Sequence, residues 1–386
     1  FNAKYSFDYY RTRLQTSDLS LGDGAISTDG TGWQGKLVND GMTRAEENHF
    51  EQNIQFLLMG DNQLAKKWRL GYTAGANIMY LKFEQLSASV QNMLEKDNWI
   101  FNTGNKLTSA LDDGHSRAMY SAFASAQLAY DEWLSLDITA RNDWSSTLPK
   151  KNNSFFYPSA SLSWVFSDFM RSIDHKLPSW ITFAKLRVSA AQVGKDPAPY
   201  NLYNVRKYQF EMGNRKPINN TIKLNANLKP EIKTSYEVGV DMKFLDNRLG
   251  FDFTYYYNTT KNQAMLVDAS SPWTQQWVNA GKINNTGVEF MLYGTPVKTR
   301  DFQFDITANL AHNSSTVKEL ADGVNRVYFA GDSNMPVKVG AVKGGKLGDI
   351  FANNLMQRDA QGRVIIGADG LPMAATGDGN LEQYLL

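Results

Sequence analysis

Few stretches of this chain place residue types at spacings that could do chemistry. Gly340-Ala-Val-Lys-Gly-Gly345-Lys346-Leu347 comes within one residue of a phosphate-binding loop. Such a loop needs Ser or Thr after the lysine to hold magnesium, with a strand before it and a helix after. Leu347 has no oxygen to offer a metal, so phosphate binding is not expected. The histidines, His49, His115, His175 and His312, are scattered without a partner at ligand spacing, whereas a metal site needs several convergent donors. Asp359-Ala-Gln361-Gly362 and Asp369-Gly370 open like calcium loops but lack the ladder of oxygen donors that must follow, and they read as turns. The chain has no cysteine, which excludes thiolate metal sites, disulfides and a cysteine nucleophile. No Ser/His/Asp grouping stands out either. The expectation is no enzyme, no cofactor and no resident metal.

Aromatic side chains in long links are the other candidates. Trp273 and Trp277 are four apart, and Tyr200, Tyr203 and Tyr208 share another link. Exposed loop aromatics can stack on sugar rings or grip a peptide. Loop packing and interfacial girdles call for the same residues, so both readings stay open.

The elements that would carry these links are strands. In Leu228–Asn258, Tyr236, Val238, Val240, Met242 and Phe244 share one face against Ser235, Glu237, Gly239, Asp241 and Lys243. After a turn of about three residues, Leu249, Phe251, Phe253, Tyr255 and Tyr257 oppose Gly250, Asp252, Thr254, Tyr256 and Asn258. A side-chain period of two gives each strand one apolar and one polar face. Soluble strands average about 5–6 residues, whereas transmembrane barrel strands need about 9–11, apolar outward and polar inward. This hairpin is long enough to cross a membrane.

The bulk numbers agree. In 386 residues, 40 Lys+Arg balance 39 Asp+Glu, so nothing suggests a nucleic-acid partner. Tyr 18 and Phe 21 are many for a mean hydropathy of −0.43, a pairing that suits barrels with polar lumens and aromatic girdles. No apolar run is long enough for a transmembrane helix.

Alternation recurs in Phe1–Arg11, His49–Met59, Arg69–Leu81, Arg117–Tyr130, Trp133–Trp144, Phe155–Ser167, Trp180–Val193, the hairpin, Ile283–Tyr293 and Phe302–Leu310. That is about eleven strands. Short links (Gly60–Lys67, Asp131–Glu132, Leu245–Asn247, Gly294–Asp301) alternate with long ones (Leu14–Asn48, Glu84–Ser116, Gln192–Glu231, Thr260–Lys282), with two exceptions: Ser145–Ser154 is only moderate, and Asp168–Ser179 is rather long for the short side. Short periplasmic turns and long extracellular loops have this asymmetry. The expected organisation is barrel over residues 1–313 and one long glycine-rich, extracellular loop region over 314–386. Both ends read as cut from a longer chain: Phe1 opens in mid-strand without a signal segment, and no closing strand precedes Leu385–Leu386.

Several motifs carry a family resemblance. Leu228, Lys229, Pro230, Glu231, Thr234, Ser235, Glu237, Gly239, Asp241, Phe244, Asn247, Arg248 and Leu249 fit LKPE-x₂-TS-x-E-x-G-x-D-x₂-FL-x-NRL. This resembles a signature of the SusC/RagA type of TonB-dependent outer-membrane transporters of Bacteroidetes. The stretch from Arg141 through Asp143 and Trp144 to Pro149, then Phe156 to Ala160, is similar to the family's RNDWSSTLP…YFYPS. Lys185–Ser189 with Gly194, and Asn284–Glu289, resemble two further strand motifs; Gly340–Gly370 resembles a late glycine-rich loop. Ala226-Asn227 departs from the Asn-Pro common before Leu228.

The resemblance implies an all-β, antiparallel transmembrane barrel, here partial and without the plug domain or TonB-contacting box. It implies import of oligosaccharides or peptides, driven by TonB through the missing plug, under a SusD-like surface lipoprotein lid, in outer-membrane lipid. Most signature residues would serve the barrel, with Glu237, Asp241 and Arg248 facing the lumen, the periplasmic rim or the plug. A passive porin and a surface β-rich glycan-binding protein are the rival readings.

Overall fold

A computed structural model describes residues 1–18, 41–93, 100–203, 207–211, 214–218, 221–321, 323–330, 337–352, 356–359, 361–368, 370–373 and 383–384. In chain order its strands are β1 (Asn2–Asp18), β2 (Gly41–Ala65), β3 (Trp68–Met93), β4 (Gly104–Tyr130), β5 (Leu134–Ser145), β6 (Ser154–Val165) and β7 (Ile181–Lys195). Then come β8 (Lys207–Glu211), β9 (Asn214–Ile218), β10 (Ile222–Lys223), β11 (Glu231–Phe244), β12 (Leu249–Lys261), β13 (Ala264–Asp268) and β14 (Gln275–Asn279). The last are β15 (Lys282–Lys298), β16 (Gln303–Glu319), β17 (Arg326–Ala330), β18 (Val337–Val342), β19 (Asp349–Ala352) and β20 (Gln383–Tyr384). One helix, α1 (Phe166–Ser172), fills the link between β6 and β7. Among the described residues no helix is long and apolar enough to cross a membrane, which says nothing of a β-barrel.

Eleven strands form one antiparallel sheet in the order β1-β2-β3-β4-β5-β6-β7-β11-β12-β15-β16. They correspond to the eleven alternating segments of the sequence. The chain divides into two compact units: Phe1–Leu58 with Gly75–Ala122 and Trp144–Ser146, and Met59–Ala74 with Phe123–Asp143 and Thr147–Leu386.

Within the first unit β1 pairs with β2 from Asn2↔Leu57 to Asp18↔Gly41. The strands here run further than the alternation suggested, β1 to Asp18, β3 to Met93 and β4 from Gly104. The middles of two expected long links, 19–40 and 94–99, lie outside the described residues, as do Asp369 and Leu385–Leu386. On the polar face a row of rings crosses four strands: Tyr10 on His49 (4.2 Å), His49 on Phe83 (4.8 Å), Phe83 on His115 (5.0 Å).

Within the second unit the short turns are tight. Lys66–Lys67 joins β2 to β3, and Asp131 and Glu132, both with φ above zero (49° and 62°), turn β4 into β5. Lys67 Nζ lies 2.7 Å from Asp131 Oδ2, and this hydrogen bond holds the ammonium above the ordinary lysine range. Leu245, Asp246 and Asn247 are all left-handed (φ 54°, 54° and 65°) between β11 and β12. Asn and Asp tolerate that region because their side chains can bond the local backbone. Aromatic rows follow these turns: Trp180, Phe244, Phe251 and Phe290 lie 5.6, 6.1 and 6.0 Å apart in succession. The apolar faces are exposed, as Tyr236 (54%), Val238 and Tyr255 show, which is the arrangement expected of barrel strands with apolar side chains outward.

Residues 314–386, expected as one loop region, contain further strands. β16 runs on to Glu319, and β17, β18, β19 and β20 pair as a small sheet. The stretch resembling a phosphate loop is the turn between β18 and β19. Gly344 N donates to Val317 O, Val317 N to Gly345 O, and Lys346 N to Asp349 Oδ2. The first two bonds tie the turn to the end of β16, and strand β19 follows where a phosphate loop would open a helix.

Candidate functional site: the rim that anchors the long links

Three links meet at the long-link ends of β5, β6, β7, β11 and β12, and the signature residues lie where they meet. Leu228, just before β11, is fully buried (0% exposed) against Leu148 and Phe155, with Tyr157 and Leu202 alongside. Burying a leucine side chain contributes about 1.5–3 kcal/mol, which secures an irregular segment that has no ladder of its own. The backbone around it is satisfied by side chains. Asn152 Nδ2 donates to the carbonyls of Asn227 (3.3 Å) and Leu228 (3.0 Å), and Lys151 Nζ to Asn227 Oδ1 (2.5 Å). On the far side Lys229 N donates to Asn279 Oδ1 (2.7 Å), whose Nδ2 donates to Lys229 O and Asn262 O (2.8 and 2.9 Å). Asn225 Nδ2 reaches Trp277 O at 3.1 Å. The segment before β11 is thereby fastened both to the β5–β6 link and to the β13–β14 hairpin.

Charge is buried beside it. Asp143 is 3% exposed; it accepts from Arg141 Nε at 2.8 Å and from the Tyr157 hydroxyl. Thr147 Oγ1 donates to Asp196 Oδ2 at 2.8 Å, with both side chains buried. A buried carboxylate is tolerated only when partnered. Trp144 is about two-fifths exposed at the end of β5.

Further down the polar face, Arg187 of β7 reaches across β11 to β12. Its guanidinium donates to both carboxylate oxygens of Asp252 (2.8 and 2.6 Å) and to Thr254 Oγ1 (2.6 Å). The strand it crosses offers Gly239, where a Cβ would lie under 3 Å from the arginine. Tyr256 likewise crosses Gly287 to reach Asn313 Oδ1 at 3.2 Å. These contacts explain both glycines: each removes a side chain beneath a neighbour that spans three strands.

The remaining signature residues are spread along the same wall. Thr234 Oγ1 accepts from Gln192, and Ser235 Oγ donates to Asn258 Oδ1 at 2.5 Å, with Glu237 Oε1 a longer alternative acceptor at 3.1 Å. Glu231 pairs in register with Lys195, and Asp241 with Lys185 and Asp252. Pro230 lies between the anchored Lys229 and the start of β11. Phe244 stacks on Trp180, Asn247 occupies the left-handed turn, and Leu249 opens β12 opposite Gly294. Arg248 sits at the short-turn end, where its Nη2 donates to Pro296 O at 3.4 Å.

Of the loop aromatics, Tyr200 (60%) and Tyr203 (63%) are exposed, whereas Trp273 and Trp277 are half-buried, the latter paired with Leu266 in register. The side chain of Tyr208 lies outside the described residues. Asp359 of the calcium-like turn is engaged by the backbone N–H groups of Arg363 and Gln361 and by the Arg363 side chain. Sequence reasoning missed the ties made by Asn152, Asn225 and Asn279, and it missed Arg187. Arg187 had a signal, a basic residue two positions from Lys185 on the polar face of a motif strand. The asparagines had none.

Residues 1–340 match the family described as TonB dependent receptor-like, beta-barrel. The chain belongs to that family. It is 28% identical over 209 residues to the TonB-dependent receptor SusC of Bacteroides thetaiotaomicron, covering 50% of this chain and 20% of SusC. It is 26% identical over 215 residues to TonB-dependent receptor P3 of Formosa agariphila, covering 53% of this chain and 21% of that protein. The chain thus matches about a fifth of the length of these curated relatives. Its fold is that of the solved RagAB peptide transporter, with a TM-score of 0.72 at 19% identity over 93% of this chain and 38% of that one. Family, relatives and fold are consistent with the SusC/RagA type of outer-membrane receptor that the motifs resemble.

Proposed function

We propose that this chain forms part of the wall and outer rim of a TonB-dependent importer of oligosaccharides or peptides. The long links face outward beneath a SusD-like lipoprotein lid, and the short turns face the periplasm, where a plug would answer to TonB. Residues 1–313 are barrel and 314–386 an outer loop region, with Tyr200 and Tyr203 available to substrate or lid. The observation that carries this reading is the anchored rim. Three links, the moderate one between β5 and β6 and two long ones, are fastened to one another at Asn152, Leu228 and Asn279, so they form a shaped surface. A passive pore needs no such surface.

The test uses the full-length protein in its own outer membrane. A membrane-impermeant maleimide is expected to label Tyr203→Cys on intact cells, and Asp246→Cys only after permeabilisation. Peptide or oligosaccharide uptake through the receptor is expected to stop when TonB is removed, and a surface lipoprotein to co-purify. Inverted labelling would overturn the orientation, and uptake that survives loss of TonB would make the protein a porin.

A further inference from the structure

Beyond Lys195 the link that follows β7 folds into a short tip, 196–203, which presents Tyr200 and Tyr203 at 60% and 63% exposure. Both ends of the tip are pinned. At one end Asp196 is buried and accepts from Thr147 Oγ1 at 2.8 Å. At the other, Asn225 N donates to Asn201 O at 3.0 Å, and Leu202 packs on the cluster of Leu148, Phe155 and Leu228. Between the pins Pro197 and Pro199 each fix a φ angle, and Asn201 Nδ2 donates to Ala198 O at 3.2 Å. Tyr200 itself is left-handed, with φ 63°. That region crowds the Cβ of an L-residue, so the bonds on either side must offset its cost. Strain of this kind collects at ligand clamps. The Cα–Cβ direction of Tyr200 is thereby set before any ligand arrives.

The chemistry of the tip narrows what it can take. Phenols aside, its one ionisable side chain is Asp196, and that carboxylate is buried against Thr147. Lys195, just before the tip, lies opposite Glu231 in the ladder. The tip thus offers no exposed charge to a peptide terminus or an ionic side chain. Among the described residues of 194–230, no other large apolar side chain is exposed. A buried aromatic side chain covers about 150–250 Å², so two rings offer at most about 500 Å², short of the roughly 800 Å² per side of a stable protein interface.

We propose that Tyr200 and Tyr203 form a stacking site for the sugar rings of a neutral oligosaccharide, which makes the imported substrate a glycan rather than a peptide. The negative face of a phenol ring attracts the polarised C–H groups on the flat side of a pyranose. The phenolic hydroxyls both donate to and accept from sugar hydroxyls. Three residues of chain reach at most about 10 Å, a separation that successive rings of one oligosaccharide can bridge. Because the tip is already pinned, binding does not have to order it, which lowers the entropic cost of association.

The inference rests on the proposed reading as an importer with its long links outside, and the test separates the two. Full-length receptor in mild detergent is passed over an immobilised array of neutral α- and β-linked sugar oligomers, and over an immobilised pool of mixed-sequence peptides. The array is expected to retain it. For the retained oligomer, Tyr200→Ala and Tyr203→Ala are each expected to lose at least tenfold in affinity, and Tyr200→Phe to stay within threefold of the parent. Tyr200→Gly, which relieves the left-handed strain, is expected to unfold no earlier than the parent and yet to lose the oligomer as Tyr200→Ala does. Failure of the array to retain the parent would overturn the site, as would equal affinity in parent and alanine variants. So would alanine variants that shed a co-purifying lipoprotein while keeping their affinity for the oligomer. Maleimide labelling and the TonB dependence of uptake, measured as above, show whether the importer reading stands when the glycan result fails.

Discussion

Gly239→Ala tests why a glycine stands in the middle of a long membrane strand. Its Cβ would fall under 3 Å from Nε, Cζ and Cγ of Arg187, so the arginine must leave its path across β11. Leaving breaks two charge-assisted bonds to Asp252 and one to Thr254. Hydrogen bonds to charged groups are worth about 1.5–3 kcal/mol each when buried. Here the side chains are 37% and 26% exposed, so solvent screening reduces that considerably. Retaining the arginine instead would cost about 1–3 kcal/mol of overpacking. Alanine recovers about 0.5–1 kcal/mol of backbone entropy relative to glycine. The expected net loss is about 2–3 kcal/mol, from the sum of these effects. The assay is urea unfolding of the full-length receptor in detergent, followed by tryptophan fluorescence, as a double-mutant cycle with Arg187→Ala. If displacement of the arginine is the cause, Gly239→Ala in the Arg187→Ala background costs nearly nothing, and the coupling is about 2 kcal/mol. Additive losses, or a neutral Gly239→Ala with Arg187 present, would refute the account.

Four more predictions follow from the rim and the turns. Leu228→Ala should lower unfolding stability by about 2–5 kcal/mol as a cavity forms against Leu148 and Phe155, and limited proteolysis should then cut within 196–230; an unchanged proteolytic pattern would count against the anchor. Asp143→Ala should cost about 2–3 kcal/mol, less than a fully buried pair because Arg141 is partly exposed, whereas Tyr157→Phe should cost about 1 kcal/mol by the same unfolding assay. Glu132→Gly should raise stability by about 0.5 kcal/mol, because it relieves a left-handed non-glycine residue; a fall in the unfolding midpoint would contradict the turn. Asp359 is held below the usual carboxylate range, first by the Arg363 backbone N–H and then by the Arg363 side chain. A lowered folded value means its contribution is present above about pH 3.9 and fades only as pH falls through the folded value. Amide exchange at Gln361 and Arg363, corrected for intrinsic rate, should therefore be equal at pH 5 and 7, and faster at both in Asp359→Asn.

The wall was legible because lipid enforces a strict rule on sequence. A one-residue slip would turn Val238 and Val240 inward and Glu237 and Asp241 into hydrocarbon, so period-two alternation is held over a bilayer's width. Each of the eleven alternating segments became a strand. The rim was half legible. The family motifs marked Leu228 and Asp143 as special, but only coordinates show that Leu228 fills a buried pocket and that Asn152 and Asn279 hold its neighbours. An asparagine bonding a backbone carbonyl some 75 residues away leaves no periodic trace. The small sheet of β17, β18, β19 and β20 was hidden for a related reason. Its strands are 2–6 residues long, too short for alternation to declare itself among so many glycines.

The unexpected length of β2, β3 and β4 completes the argument about where the signal stops. These strands have 25, 26 and 27 residues, against the roughly 9–11 that a bilayer requires. Alternation is regular over His49–Met59 of β2, yet the ladder continues back to Gly41. In that extension Met42 is buried and Thr43 bonds Ser89 at 2.8 Å, so neither of these side chains meets hydrocarbon and the period-two constraint is relaxed. A strand that has left the membrane keeps its hydrogen bonds but loses the constraint that made it readable. Three arginines mark the same boundary from the other side. Arg11, Arg13 and Arg44 occupy the lipid-face parity at the point where aromatic residues cease, which is where a hydrocarbon-facing strand would leave the hydrocarbon. The end of alternation in the sequence and the first arginines on that face in the structure are thus one physical edge, seen twice.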